Sequence, residues 1–375
     1  MKSKAAVLRQ MGLSRPYSSS QPLTIEELDL QPPGPSEVLV KIHAAGLCHS
    51  DLSVIEGNRP RPLPMALGHE AAGEIVECGP HVRGLQVGDH VVFSFVPTCG
   101  HCHSCATGRP ALCQPGAAAN ASGELLGRGK RLMDSQQQPV FHHLGVSGFA
   151  EYVVASRHSV VKIDKQLPFT VAALFGCAVI TGVGAVVNTA NVRLGQTVLI
   201  TGLGGVGFAA LLGALASGAS RVIVADISAE KRQKALALGA HVAIDPADPR
   251  ALEQVKDISR GGVDVGLEFA GVVAALEFTF QATARGGKTI TGGLPASDKR
   301  MALSPLQLVA EERTLQGSYL GSCIPSRDIP AYITLYQDGR LPVDALLTHT
   351  FPLGQINAGF DRLAAGDAIR QVITF

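Results

Sequence analysis

Residues Thr197–Asp226 read TVLITGLGGVGFAALLGALASGASRVIVAD. The first five, Thr197–Thr201, form an unbroken apolar run of the kind that a parallel sheet buries on both faces. Gly202, Gly204 and Gly207 follow in a G-x-G-x-x-G spacing with Gly205 and Val206 inside it, and an Ala/Leu-rich stretch continues to about Ser217. A second apolar run, Arg221–Ile227, carries Asp226 near its end. A glycine-rich turn alone says little. Strand, turn, helix and acid in this order describe a dinucleotide-binding unit of Rossmann type. In that reading Gly202 permits the tight turn, Gly204 lets backbone approach a pyrophosphate, and Gly207 lets helix and strand pack closely. The helix N-terminus attracts the phosphates. Asp226 is placed to accept hydrogen bonds from the adenosine ribose hydroxyls and to repel a 2′-phosphate. Ile227 offers a phosphate nothing, and Lys231 can reach the same ribose. The expected cofactor is NAD rather than NADP.

Outward from this unit the texture is regular. Ala229–Leu238 reads as a helix stopped by Gly239, and His241–Asp245, Val263–Glu268, Lys288–Gly292 and Thr314–Tyr319 read as further strands with helical stretches between most of them. Such alternation predicts a doubly wound parallel sheet over residues 179–320. The first 160 residues are different. Short β-type runs broken by Gly and Pro, such as Glu37–His43, Ala72–Cys78, His90–Phe95 and Ala150–Ala155, predict a barrel or sandwich-like domain. The last 50 residues, with a helical Gln355–Ala365 and a strand-like Gln371–Phe375, are expected to return to it. The expected class is α/β, with a discontinuous β-rich domain (1–178 and 321–375) around the 179–320 unit. No internal repeat interrupts this division.

The 375 residues suit two domains, and 46% hydrophobic content supplies two cores. A net charge of +1 without a basic stripe excludes nucleic acid and acidic membrane as natural partners. The charge-free stretch Val171–Asn191 is broken by Gly176, Gly182 and Gly184, and so is expected to be a buried helix rather than a membrane span. The N-terminus, MKSKAAVLRQMG, lacks the apolar core of an export signal and reads as a strand. The expected location is the cytoplasm, where clustered cysteines serve metals rather than disulfides.

Cys99, Cys102, Cys105 and Cys113 read C-x2-C-x2-C-x7-C, four soft ligands within one short stretch. That spacing closes a tetrahedral zinc site, in a lobe of about 97–115, and leaves no coordination position for water. A redox dithiol would not need four cysteines. His101 and His103 are read as exposed bystanders. A second set, Cys48, His69 beside Glu70, and Cys177, spans about 130 residues. Three protein ligands leave a fourth position open for chemistry. Asp51 is placed in sequence to orient the His69 ring. Cys78 and Cys323 have no motif and read as small buried side chains.

The chain resembles, over nearly its whole length, the zinc-dependent medium-chain alcohol dehydrogenases. The likeness rests on GLCHSD at Cys48, GHEAAG at His69, FGCAVITG at Cys177, the cysteine quartet and the glycine motif, all in order. It implies a GroES-like fold for the β-rich domain and two zinc ions per chain. Cys48, His69 and Cys177 would hold the catalytic zinc, Glu70 would exchange onto it, and Cys99, Cys102, Cys105 and Cys113 would hold the structural zinc. By the same likeness Ser50 takes the alcohol proton. Thr181 and Val206 pack on the nicotinamide, Asp226 and Lys231 meet the adenosine ribose, and His49 and Arg370 bind the pyrophosphate. Phe95 lines the substrate pocket, and His143 lies in a segment that often contributes an aromatic wall.

The implied activity interconverts primary alcohols and aldehydes with NAD, in a homodimer joined through the Rossmann sheets, with tetramers also found among relatives. Two departures shape the reading. Some relatives carry a proton-relay His where this chain has Ser53, so a less direct relay, through water or His49, is expected. The glutathione-dependent formaldehyde branch carries an Arg and an acid where this chain has Ala117 and Arg59, which removes its charge-assisted glutathione contacts. A polyol dehydrogenase would commonly replace Cys177 by Glu. A non-catalytic NAD- or zinc-binding protein would be expected to lose a ligand, and Cys48, Ser50, His69 and Cys177 are all present.

Overall fold

Six parallel strands form the core of one of two units. They are β1 (Thr197–Thr201), β2 (Arg221–Ala225), β3 (Val242–Ile244), β4 (Val263–Glu268), β5 (Thr283–Thr291) and β6 (Thr314–Gly317), lying in the order β3-β2-β1-β4-β5-β6. The computed structural model describes residues Met1 to Phe375. Val198, Leu199, Ile200, Val222, Ile223 and Val224 are fully buried, as expected of strands covered on both faces. Between β1 and β4 the strand order reverses. Ligands of open α/β sheets settle at the carboxyl ends of strands flanking such a point.

Here that end holds the glycine loop. Gly202 has φ +92°, a conformation other residues rarely adopt. A Cβ on Gly207 would lie 1.9 Å from the Gly202 carbonyl oxygen, so only glycine lets the helix Gly205–Ala216 start so close to β1.

The chain divides into Met1–Cys177, Ile324–Ala331 and Leu347–Phe375 on one side, and Ala178–Cys323 with Tyr332–Leu346 on the other. The first boundary falls within a residue of the expected one. The second needs correction, because Gly321–Cys323 and Tyr332–Leu346 belong to the Rossmann unit rather than to the β-rich one. Leu341, Val343 and Leu346 explain the return: all three are buried, and the turn Val343–Leu346 packs on the helix Gly205–Ala216.

In the β-rich unit, Lys2–Leu8, Leu23–Leu30, Leu132–Met133, Pro139–His142 and Met65–Ala66 close into a barrel. A second sheet runs Val160–Lys162, His90–Phe93, Ala71–Cys78, Glu37–Gly46, Arg370–Thr374, Leu347–Pro352, with Tyr152–Ser156 also paired to Glu37–Gly46. The C-terminal strand thus returns to the start of the chain, pairing Val372 with Gly46 and Ile373 with Ala45.

No single helix is long and apolar enough to cross a membrane. The apolar pair Phe169–Gly176 and Ala178–Ala190 is bent by 51°, and Cys177 sits at the bend. Cys323 is fully buried as expected; Cys78 is only half-buried, with its thiol 3.9 Å from the Leu85 carbonyl.

Candidate active site and metal centres

Register in the second sheet brings distant residues together. Strand Glu37–Gly46 runs straight into Cys48, and strand Ala71–Cys78 starts just after His69 and Glu70. These strands pair at Ala45 and Ala71, and the Gly46 N–H donates to the Glu70 carbonyl at 2.8 Å. His90–Phe93 pairs alongside and leads to Phe95. Cys177 arrives from elsewhere. Its neighbour Gly176 lies so near the Phe93 carbonyl that a Cβ would stand 2.4 Å from the oxygen. The ligand atoms of Cys48, His69 and Cys177 all lie within 4.8 Å of one another, and all three residues are buried.

Asp51 organises this set. Its Oδ2 accepts from the Cys48 backbone N–H at 3.2 Å, and its Oδ1 lies 2.9 Å from Nδ1 of His69. Nδ1 of His69 thereby becomes the donor, and Nε2, buried without a hydrogen-bond partner, keeps a lone pair for a metal. Burial lowers the His69 pKa, but the Asp51 carboxylate more than reverses this, leaving it raised. Burial likewise disfavours charge on Asp51, yet His69 and His143 hold it below the ordinary carboxylate range. The two thiols act on each other in opposite senses: Cys177 holds the Cys48 thiol below its ordinary value, and Cys48, with burial, pushes the Cys177 thiol up. One neutral imidazole and two thiolates are the donor set zinc takes in an open site.

Glu70 is fully buried, bonded through Oε1 to Nη2 of Arg370, with Oε2 unpartnered. Burial pushes its carboxyl up to about 7, against the pull of the guanidinium. Arg370, linked by resemblance to the pyrophosphate, is itself only 3% exposed. Phe95 meets His69 edge-on at 5.5 Å, and His143 does the same at 5.6 Å on its own account. Nδ1 of His143 stands 3.2 Å from Asp51 Oδ1, off the line that a hydrogen bond needs. Sequence reading placed His143 on a pocket wall and missed this approach to Asp51. His49 is exposed and Ser50 half-buried, both in the short helix His49–Ile55. Ser53 donates its hydroxyl to the His49 carbonyl at 2.8 Å.

The quartet is built locally. Cys99, Cys102 and Cys105 are half-buried and Cys113 fully buried, with ligand atoms again within 4.8 Å. Backbone N–H groups of Cys102 and Cys99 aim at the sulfurs of Cys99 and Cys113, both at 3.2 Å, and Gly116 N–H aims at Cys113 at 3.4 Å. Backbone donors, the Cys105 N–H region first, hold Cys102 down at about 6, whereas burial lifts Cys105 to about 12. His101 and His103 are exposed, and His101 Nδ1 lies 2.9 Å from the Cys99 carbonyl.

In the Rossmann unit no side chain caps the helix Gly205–Ala216, whose first N–H groups therefore face outward from the loop. A Cβ on Gly204 would meet nothing within 4 Å. An anionic pyrophosphate fits such a cradle. Asp226 accepts from the backbone N–H of Leu203 at 2.6 Å and of Ser228 at 2.8 Å, and retains lone pairs for hydroxyl donors. Thr181 and Val206 belong to helices packed so tightly that a Cβ on Gly182 would lie 2.3 Å from the Val206 carbonyl oxygen. Lys231 is half-buried in the helix Ala229–Ala237. Arg232, beside it and absent from the sequence reading, turns back onto the Asp226 corner. Its place six residues after Asp226, one helical turn past the cap, was the available signal.

A reversing parallel sheet with a glycine-loop cradle, together with a buried Cys-His-Cys set and a cysteine quartet, defines the class of zinc-binding dehydrogenases. Family models agree. Residues 34–165 match the alcohol dehydrogenase GroES-like domain, and residues 205–338 match the zinc-binding dehydrogenase domain. The chain is 41% identical over 379 residues, covering 100% of both sequences, to a Mycobacterium tuberculosis protein named "Putative alcohol dehydrogenase D". An alcohol dehydrogenase zinc-binding domain protein from Burkholderia ambifaria superposes with a TM-score of 0.94 at 34% identity, over 100% of this chain and 99% of that one. Benzyl alcohol dehydrogenase from Acinetobacter calcoaceticus superposes with a TM-score of 0.93 at 32% identity and the same coverage. The chain belongs to the zinc-dependent medium-chain alcohol dehydrogenase family.

Proposed function

We propose that this protein interconverts primary alcohols and aldehydes with NAD, using two zinc ions per chain. The observation that carries the reading is the buried Cys48, His69 and Cys177 set, with Nε2 of His69 left free and Asp51 fixing its tautomer. Zinc held there would supply Lewis acidity toward an alcohol oxygen. NAD would supply the hydride acceptor.

The chain's own residues do the rest. Asp51 holds two ligand-bearing segments in register. Arg370 holds Oε1 of Glu70 and leaves Oε2 unpartnered, and Glu70 would be the acid able to exchange onto zinc held there. Ser50 receives the alcohol proton, and His49, exposed on the same helix turn, passes it to solvent. Ser53, whose hydroxyl is engaged by the His49 carbonyl, is a bystander to this relay. Phe95 and His143 shape the substrate side of His69, while Cys99, Cys102, Cys105 and Cys113 hold the structural zinc. Thr181 and Val206 back the nicotinamide, the Gly202–Gly207 loop meets the pyrophosphate, and Asp226 with Lys231 selects NAD.

The substrate proposed is an uncharged alcohol, in line with the benzyl alcohol dehydrogenase likeness and with Ala117 and Arg59 in place of glutathione-binding charges. We place the protein in the cytoplasm, where its eight free cysteines stay reduced. The exposed edge strand β6, preceded by Leu306 and Val309 at 77% and 75% exposure, supports a homodimer formed edge to edge.

NAD reduction on zinc-replete protein with benzyl alcohol, against formaldehyde plus glutathione, tests the reading. Turnover of benzyl alcohol alone is expected. Turnover mainly of the glutathione adduct would keep the chemistry and overturn the substrate class.

A further inference from the structure

We propose that Arg232 and Asp245 form a masked 2′-phosphate site, in which Asp245 is a second residue, beside Asp226, that holds the chain to NAD. The inference rests on the reading of the Gly202–Gly207 loop as an NAD cradle and deepens it. Arg232 lies one turn into the helix Ala229–Ala237 and folds back, so that Nη1 donates to the carbonyls of Asp226 at 2.6 Å and Ile227 at 3.0 Å. Those carbonyls belong to the corner that bears the ribose-reading carboxylate. The guanidinium is therefore pinned beside the place where a 2′-substituent of the adenosine ribose would stand, and an Arg near that acid is what accommodates a 2′-phosphate in nucleotide folds.

Asp245, at the end of β3, cancels it. Its Oδ2 lies 3.1 Å from the same Nη1. Asp245 is the carboxylate paired with the guanidinium, while the Asp226 carboxylate is held by the N–H groups of Leu203 and Ser228, so the Asp245 charge is what keeps Arg232 from answering a phosphate dianion. Nε and Nη2 of Arg232 remain free to fork onto an anion once that balance shifts. The side chains of Arg232 and Asp245 are 19% and 39% exposed. A pair this accessible contributes little to folding, so removing it alters charge more than structure.

Asp245→Asn is close to isosteric, and it preserves the other job of the side chain, since Oδ1 accepts from the Ala247 N–H at 3.0 Å and an amide oxygen does the same. The measurement is calorimetric binding of 2′,5′-ADP and of 5′-AMP, fragments that need neither zinc nor turnover. Wild-type protein is expected to prefer 5′-AMP. Asp245→Asn should tighten 2′,5′-ADP about tenfold, one charge-assisted contact's worth, with 5′-AMP unchanged. Asp245→Asn/Arg232→Gln should lose the gain while still binding 5′-AMP. An Asp245→Asn protein that binds 5′-AMP normally with no gain for 2′,5′-ADP would overturn the proposal, as would a gain that survives in the double variant. Wild-type preference for 2′,5′-ADP would instead overturn the NAD reading itself.

Discussion

The two cysteine-rich sites lie in the same unit yet are made in opposite ways. The quartet Cys99–Cys113 is closed by local chain, three of its cysteines half-buried and its sulfurs met by the N–H groups of its own turns. The Cys48, His69 and Cys177 set is fully buried and depends on strand register, on the Asp51 carboxylate and on a bend in an apolar helix pair. Local chain can fold around a metal by itself. A site that keeps one coordination position open needs a scaffold to hold its ligands apart.

The contrast can be broken by experiment. Cys177→Ala should abolish activity, by at least ~100-fold, since loss of even an outer partner of a metal ligand typically costs 10–100-fold. Zinc analysis should then fall from two ions to one per chain while the thermal midpoint hardly moves. Equal loss of both ions would show that the two sites are not independent.

Asp51→Ala should lower the affinity of the open site by roughly 10–100-fold, read by chelator competition, and leave the quartet's zinc in place. Asp51→Asn, which keeps an acceptor oxygen toward His69, should lie between. Retention of full affinity in Asp51→Ala would make the scaffold argument wrong.

Cys105→Ser should act the other way round. Metal binding at a local site is folding energy for that lobe, so the thermal midpoint should drop by roughly 5 °C while kcat changes less than in Cys177→Ala. Protease cleavage confined to about 97–115 would confirm that the damage is local.

The smallest effect concerns acid. His142, buried beside the open site's wall, accepts from the Arg131 N–H at 3.0 Å; burial, with help from the Arg131 charge, lowers its pKa to about 3. An ordinary His titrates near 6.5, so the unfolded chain binds this proton first. Its contribution to stability is whole above pH 6.5 and is lost as pH falls toward 3, at up to ~1.4 kcal/mol per pH unit. His142→Gln keeps an acceptor and should flatten that slope in urea titrations at pH 4–7. An unchanged slope would mean that His142 is not the group responsible.

Much of this was legible in the chain. Thr197–Thr201 and Val263–Glu268 are strands over the expected spans, the first because a five-residue β-branched-rich apolar run ending at Gly202 is too short for a buried helix, the second because exposed Asp264 sits between buried Val263 and Val265. The quartet was legible because its spacing is its geometry. The bond between Glu70 and Arg370, the approach of His143 to Asp51, and the pairing of Arg232 with Asp245 were not. Each joins residues whose separation in sequence says nothing about register. Tyr332–Leu346 was misassigned for a related reason: Pro342 marks a turn, but composition cannot tell which of two cores its apolar neighbours fill.

The returning C-terminal strand sets the order in which the enzyme can come alive. Glu70 is embedded where Arg370 is its hydrogen-bonded counter-charge, and that arginine is joined to it across 300 positions of chain. During synthesis the barrel, the cysteine lobe and the whole nucleotide-binding sheet emerge before Arg370–Thr374 can slot beside Gly46 and Ala45. Until then Glu70 lacks its guanidinium, and burial next to the ligand set holds its carboxyl in the protonated form. Closure of the ligand set therefore waits on the pairing of Arg370–Thr374 beside Gly46 and Ala45.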